Sequence, residues 1–161
     1  MNQYLNRLPK IEQEIFTHYY DNKISQKDLA KIYGLTQGAI SVKIKRAKER
    51  LSFITTLEKY DIKKILSDLR MILEPESFEI VVGMIKTTNQ SETARRVNCI
   101  LNLEDREKLN QVKVRHRFNK VLDSLRHEKG YEKHFQALSL IKNNLYILSE
   151  VLLPQHDKKH V

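Results

Sequence analysis

Along most of the chain, apolar residues return every three or four positions, and strand-like alternation is hard to find. That period places them on one face of a helix. A first stripe of Ile11, Ile15, Phe16 and Tyr19 predicts a helix that starts near Pro9, a residue suited to a first turn, and runs to about Tyr20. The residues "DNK" then break it. Ser25 is a good N-cap for a short helix from Gln26 to Tyr33, Gly34 can take the left-handed conformation that ends it, and Thr36 can cap the next. In that next helix Ile40, Ile44, Ala47 and Leu51 make the inward stripe, so lysine- and arginine-rich positions are left facing outward.

Two helices with a tight turn between them form a helix-turn-helix only if certain positions are right. A small residue is needed where the helices cross, a residue tolerant of positive φ four positions later, and an apolar anchor six beyond that. Ala30, Gly34 and Ile40 meet these needs, with Leu29 and Leu35 as flanking core contacts. The second helix is then the recognition helix, whose N-terminal half enters the major groove of duplex DNA. Its candidate DNA-facing residues are Thr36, Gln37, Gly38, Ser41, Val42, Lys43, Lys45 and Arg46, while Lys48 and Arg50, farther along, would meet phosphate. The competing reading is an ordinary helical hairpin whose basic side faces water.

The pattern recurs. "NQSETARRVN" (Asn89 to Asn98) is a weaker copy of "SQKDLAKIYG": Asn89 can cap like Ser25, Ala94 stands where Ala30 stood, and Asn98 replaces Gly34 as the residue expected at positive φ. "NQVKVRHRFNKVLDSL" (Asn110 to Leu125) likewise matches "TQGAISVKIKRAKERL", with Val114, Phe118, Val121 and Leu125 inward. Its candidate DNA-facing residues are Asn110, Gln111, Lys113, Arg115, His116, Asn119 and Lys120, with Val112 also turned outward. Between the halves lies "CILNLEDREKL", roughly ten residues more than a tight turn needs, so the second unit would have an expanded turn. Otherwise this region is a helical bundle whose basic helix is solvated.

Upstream, Ile62, Ile65, Leu66, Leu69 and Leu73 predict a helical connector, and Pro75 starts the helix after it. Downstream, Tyr131, Phe135, Leu138, Ile141, Leu145, Leu148 and Leu152 lie near one stripe of a C-terminal amphipathic helix, which would complete a core, form a dimer interface or contact a polymerase subunit. The organisation expected is 1–55 helix-turn-helix, 56–74 connector, 75–129 second helix-turn-helix-like domain, and 130–161 C-terminal helix with a mobile tail.

Charge and chemistry narrow the function. The 161 residues carry 29 Lys+Arg against 20 Asp+Glu, a formal net charge of +9, which favours polyanionic partners. No signal pattern opens the chain and no apolar run reaches the roughly 20 residues that a bilayer requires, so a cytoplasmic protein is expected. Cys99 is the only cysteine, which excludes an intrachain disulfide and a thiolate zinc cluster. His156 and His160 share a helical spacing and His127 and His134 lie two turns apart, but no carboxylate or cysteine set completes a metal site. Without a phosphate-binding glycine loop or a nucleophile motif, neither catalysis nor a cofactor is expected.

The segment from Leu8 to Leu51 resembles the C-terminal, promoter-reading region of bacterial sigma factors in its leading Leu-Pro, its apolar "EIF", its Leu29-Ala30 pair and its closing "KRAKERL". Through "GLTQGAIS" it is also similar to plasmid-borne helix-turn-helix repressors related to TrfB. The resemblance implies duplex DNA binding. Promoter opening is not expected, because a sigma factor carries a promoter-melting domain ahead of this region and only a handful of residues precede it here. An all-α protein is thus expected, with two helix-turn-helix units, a helical connector and a C-terminal helix. It would be a sequence-specific transcription regulator on double-stranded DNA in a prokaryotic cell or phage-infected host, and a repressor by promoter occupancy is the first choice. The alternatives are a sigma-like factor bound to RNA polymerase and an adaptor that binds only protein through the C-terminal helix; a homodimer through that helix is a further expectation.

Overall fold

The computed structural model describes residues 3–152, with side chains through Glu150; the expected mobile tail with His156 and His160, and the Leu152 side chain, lie outside the described residues. The described chain is helical throughout, without a strand: a 3-10 turn at Leu5–Arg7, then α1 (Lys10–Tyr20), α2 (Gln26–Tyr33), α3 (Gln37–Leu57), α4 (Ile62–Ile72), α5 (Pro75–Thr87), α6 (Gln90–Ile100), α7 (Gln111–His127), α8 (Glu132–Asn143) and α9 (Leu145–Leu152). None of these helices is long and apolar enough to cross a membrane. The chain forms two compact units, one built by the N-terminal residues through Thr56 and the other by Leu57–Glu150.

In the first unit, α2 starts where the Ser25 hydroxyl accepts from the Asp28 N–H at 3.1 Å and ends at Gly34, whose φ of 63° lets the Leu35 N–H reach back to the Ala30 carbonyl at 2.9 Å. Thr36 then caps α3 through the Ala39 N–H, 3.1 Å away. Ile15, Leu29, Ala30, Ile40 and Ile44 form the core between the three helices, and Leu5, Leu8, Ala47 and Leu51 form a second small cluster. The stripe expected on α1 needs one correction. Ile11 is 41% exposed and Glu12 is buried at 5%, because Glu12 forms an ion pair with Arg50 of α3, itself buried. Spacing from position 12 fits the same face as spacing from 11, and the ion pair selects the carboxylate.

In the second unit, α5 packs on α6 and α7, and α7 packs on α8. Ile80, Val81, Met84, Ala94, Val97, Val114, Phe118, Val121, Leu122 and Leu125 lie in one core, to which α4 adds Ile65 and Leu69 and α8 adds Ala137 and Leu138. His134 of α8, expected only as a spacing with His127, pairs with Asp68 of α4 at 2.8 Å. Asn98 is a second correction: it stays helical, because α6 continues to Ile100, and the positive φ falls on Asn102 at 49°. Its side chain instead closes the expanded turn, accepting from the Leu109 N–H at 2.7 Å and donating to the Leu109 carbonyl at 2.9 Å. The C-terminal stripe, expected on one helix, is divided at Asn144, whose amide donates to the Leu140 carbonyl at 2.8 Å and so competes with the backbone ladder. Leu138, placed on that stripe as a possible self-association residue, has no exposed surface and belongs to the core of its own unit.

Candidate nucleic-acid interface

Burial of Ile40, Ile44, Ala47 and Leu51 fixes the rotation of α3, and everything opposite them is presented to solvent. Thr36, Gln37, Gly38, Ser41, Val42, Lys45 and Arg46 are exposed, and Lys43 is half-buried at the edge. Seven of the eight expected residues of this unit are therefore exposed on the helix or its cap, and Lys43 lies at the border of the buried stripe. Thr36 is engaged as the N-cap. Val42 keeps 48% of its surface exposed among cations, an apolar body on a polar face. Gly38 is open in another sense: a Cβ added there would meet nothing nearer than the Thr36 hydroxyl at 4.0 Å, so the fold does not require glycine.

Electrostatics distinguish this face from an ordinary amphipathic helix. Between Gln37 and Lys48 the helix carries Lys43, Lys45, Arg46 and Lys48 and no acid; Glu49 is the first. Lys48 lies over the Tyr20 ring, 5.2 Å from its centroid, and its ammonium is held above the ordinary lysine value, first by a hydrogen bond to Tyr20. Arg50 is a correction: expected to meet phosphate, it is buried against Glu12 and cannot reach DNA from there. Two residues missed in the sequence are Lys27 and Lys31, both exposed on α2, the helix that crosses the phosphate backbone in this motif. Their signal was an i, i+4 pair of lysines around the buried Leu29 and Ala30. The unit is braced behind this face, where the Tyr33 hydroxyl donates to Glu14 at 3.4 Å; partial burial, then the Glu14 charge, push that phenol above its usual value.

On α7 the expected residues separate into three groups. Gln111, Arg115, His116 and Lys120 are exposed. Asn110 is the N-cap, its side chain accepting from the Lys113 N–H at 2.9 Å, and the Lys113 ammonium donates to the Lys108 carbonyl at 3.1 Å. Asn119 is half-buried, with Oδ1 sealed from solvent, so the paired hydrogen bonds by which an asparagine reads adenine are not open to it. Arg117, on the same helix, turns to Glu76 of α5 at 2.8 Å. Beside it a cleft of about 860 Å³ is lined by Glu74, His116, Lys120 and Asp123, among others. One flank of α7 is therefore bordered by Glu74 and Glu76 at the start of α5, in addition to its own Asp123, which stands where α3 has Glu49.

Residues 4–52 match the model of the family described as sigma-70, region 4. No curated protein and no solved structure matches the chain. The match covers the first helix-turn-helix and stops before the second unit. Residues 4–52 are thus a sigma-region helix-turn-helix of the kind that binds DNA in transcription.

Proposed function

We propose that the protein is a sequence-specific duplex-DNA-binding transcription regulator that represses by occupying a promoter, reads bases with the first turns of α3, and carries no catalytic activity. The observation that supports it most is the exposed face of the first three turns of α3, which carries cations and no acid before Glu49, set on a helix-turn-helix core. Gln37 can make paired hydrogen bonds to adenine and Val42 can touch a thymine methyl group, whereas Lys48 meets phosphate and reports no base. A second reading, a factor bound to RNA polymerase at promoters, is favoured by the match to sigma-70 region 4. Selecting bound fragments from random duplex DNA, with and without RNA polymerase, tests both. Repression predicts a motif enriched without polymerase, and the second reading predicts enrichment only with it.

Site variants sharpen this. Gln37→Ala should lower affinity for the preferred site by about 1 to 3 kcal/mol and relax one base position. Lys48→Ala should weaken all sequences about equally and reduce the slope of log affinity against log salt by about 0.9. Fluorescence titrations across a salt series distinguish the two patterns, and equal behaviour of both variants would remove the base-reading role of Gln37.

Gly38→Ala should separate stability from binding. Alanine is the better helix former by up to about 1 kcal/mol and meets no obstruction, so the melting temperature should hold or rise. Affinity for DNA should fall, since a glycine on this face lets the backbone come close to its ligand. A variant that melts higher and binds as well as wild type would show that no such approach occurs.

A further inference from the structure

We propose that the second unit is also a duplex-DNA reader, in which α7 recognises a guanine-containing block of its own, different from the block read by α3. The ligand class rests on the reading of α3 as a DNA reader; the site itself rests on the geometry of the second unit alone.

The two units place equivalent positions in equivalent environments. Ser25 and Asn89 both cap the first helix, and Thr36 and Asn110 both cap the second. Inward positions pair as Ile40 with Val114 (0% and 0% exposed), Ile44 with Phe118 (5% and 2%), Ala47 with Val121 (0% and 4%) and Leu51 with Leu125 (5% and 2%). A shift of one residue would instead set Ile40, Ile44 and Leu51 against Arg115, Asn119 and Arg126, none of them buried. Outward positions follow the same register: Gln37 with Gln111, Gly38 with Val112, Ser41 with Arg115, Val42 with His116 and Arg46 with Lys120, all exposed. The Asn98 clamp on Leu109 holds the longer turn at its two ends, so its extra residues leave the paired helices in register.

The chemistry of the face selects duplex DNA and the base. Arg115 is exposed on the second turn of α7, where a guanidinium can span O6 and N7 of guanine, and His116 beside it can donate to the same edge. Val112 keeps 54% of its surface exposed in the first turn, an apolar contact that fits a thymine methyl group. Lys120 adds a cation for phosphate. Glu74 and Asp123 border one flank and repel phosphate there, which makes the contact narrower than that of α3. Where α3 presents Ser41 and Val42, α7 presents Arg115 and His116, so the two faces prefer different bases.

The test is selection from random duplex DNA by the full chain and two variants, Arg115→Ala/His116→Ala and Gln37→Ala/Ser41→Ala, with melting curves to establish that each folds. Wild type should enrich two blocks. The first variant should lose the guanine block, with affinity for the wild-type site falling about 5- to 150-fold, the range for one bidentate base contact, while keeping the other block; the second variant should do the reverse. Replacing Lys120 with alanine should lower the salt slope by about 0.9. If Arg115→Ala/His116→Ala selects the wild-type motif with wild-type affinity, the second unit is not a reader and its face serves a protein. That result leaves the reading of α3 standing when the Gln37→Ala/Ser41→Ala variant loses its block. A guanine block that depends on Arg115, with none that depends on Gln37, would overturn the reading of α3 instead, and no enrichment by wild type would overturn both.

Discussion

Replacing Glu12 with alanine should destabilise the first unit by about 3 kcal/mol, the lower end of the range for breaking a buried ion pair. Glu12 and Arg50 have side chains only 6% and 9% exposed, and their pairing joins α1 to the far half of α3. Removing the carboxylate takes away a buried charge that helps offset desolvation of the guanidinium. The same reasoning predicts that Glu12→Leu/Arg50→Met, which replaces both charges by apolar groups of similar volume, recovers most of the loss. Denaturant melts of the single and double variants measure this coupling. A single variant as stable as wild type would show that Arg50 does not depend on Glu12 to offset its burial. Because α3 carries the DNA-facing residues at its other end, the single variant should also lose DNA binding as temperature rises, and the double variant should regain it.

In the second unit Gly83→Ala should be destabilising. A Cβ at Gly83 would sit 2.6 Å from Thr93 Cγ2, and Thr93 is fully buried, with its hydroxyl 2.9 Å from that of Thr87 and 3.5 Å from the Met84 sulfur. It has nowhere to turn, so α5 and α6 must move apart. Overpacking of this kind costs about 1 to 3 kcal/mol, more than the gain of up to about 1 kcal/mol from replacing a helical glycine. Thr93→Ser removes the obstructing methyl and keeps the hydroxyl, so Gly83→Ala/Thr93→Ser should be more stable than Gly83→Ala alone, although Thr93→Ser by itself opens a small void. Thermal melts of the four proteins form a double-mutant cycle. Additive effects would mean that the two residues do not meet, and a stabilised Gly83→Ala would show that the helices separate at no cost.

The helical class, both helix-turn-helix patterns and most of the α3 face were legible in the residues, because each depends on neighbours along the chain. Apolar spacing sets which face of a helix turns inward, the Ser25 and Asn89 caps act on N–H groups two or three residues away, and Gly34 ends α2 through its own φ. Apart from the local break at Asn144, the departures involve partners distant in sequence. Nothing near Ile11 says that Glu12 is the buried residue, since Arg50 is 38 positions away. Asn98 looked like a turn residue until Leu109 was seen to occupy both ends of its amide, and Arg50 looked available to phosphate until α1 brought Glu12 to it. Lys48 and Leu122 stand at matching positions of the two units, yet the first is exposed and the second buried in a core to which α8 contributes. Periodicity determines the direction in which a side chain points, whereas the tertiary structure decides what stands there, since a buried charge or amide takes whichever partner offsets its loss of water.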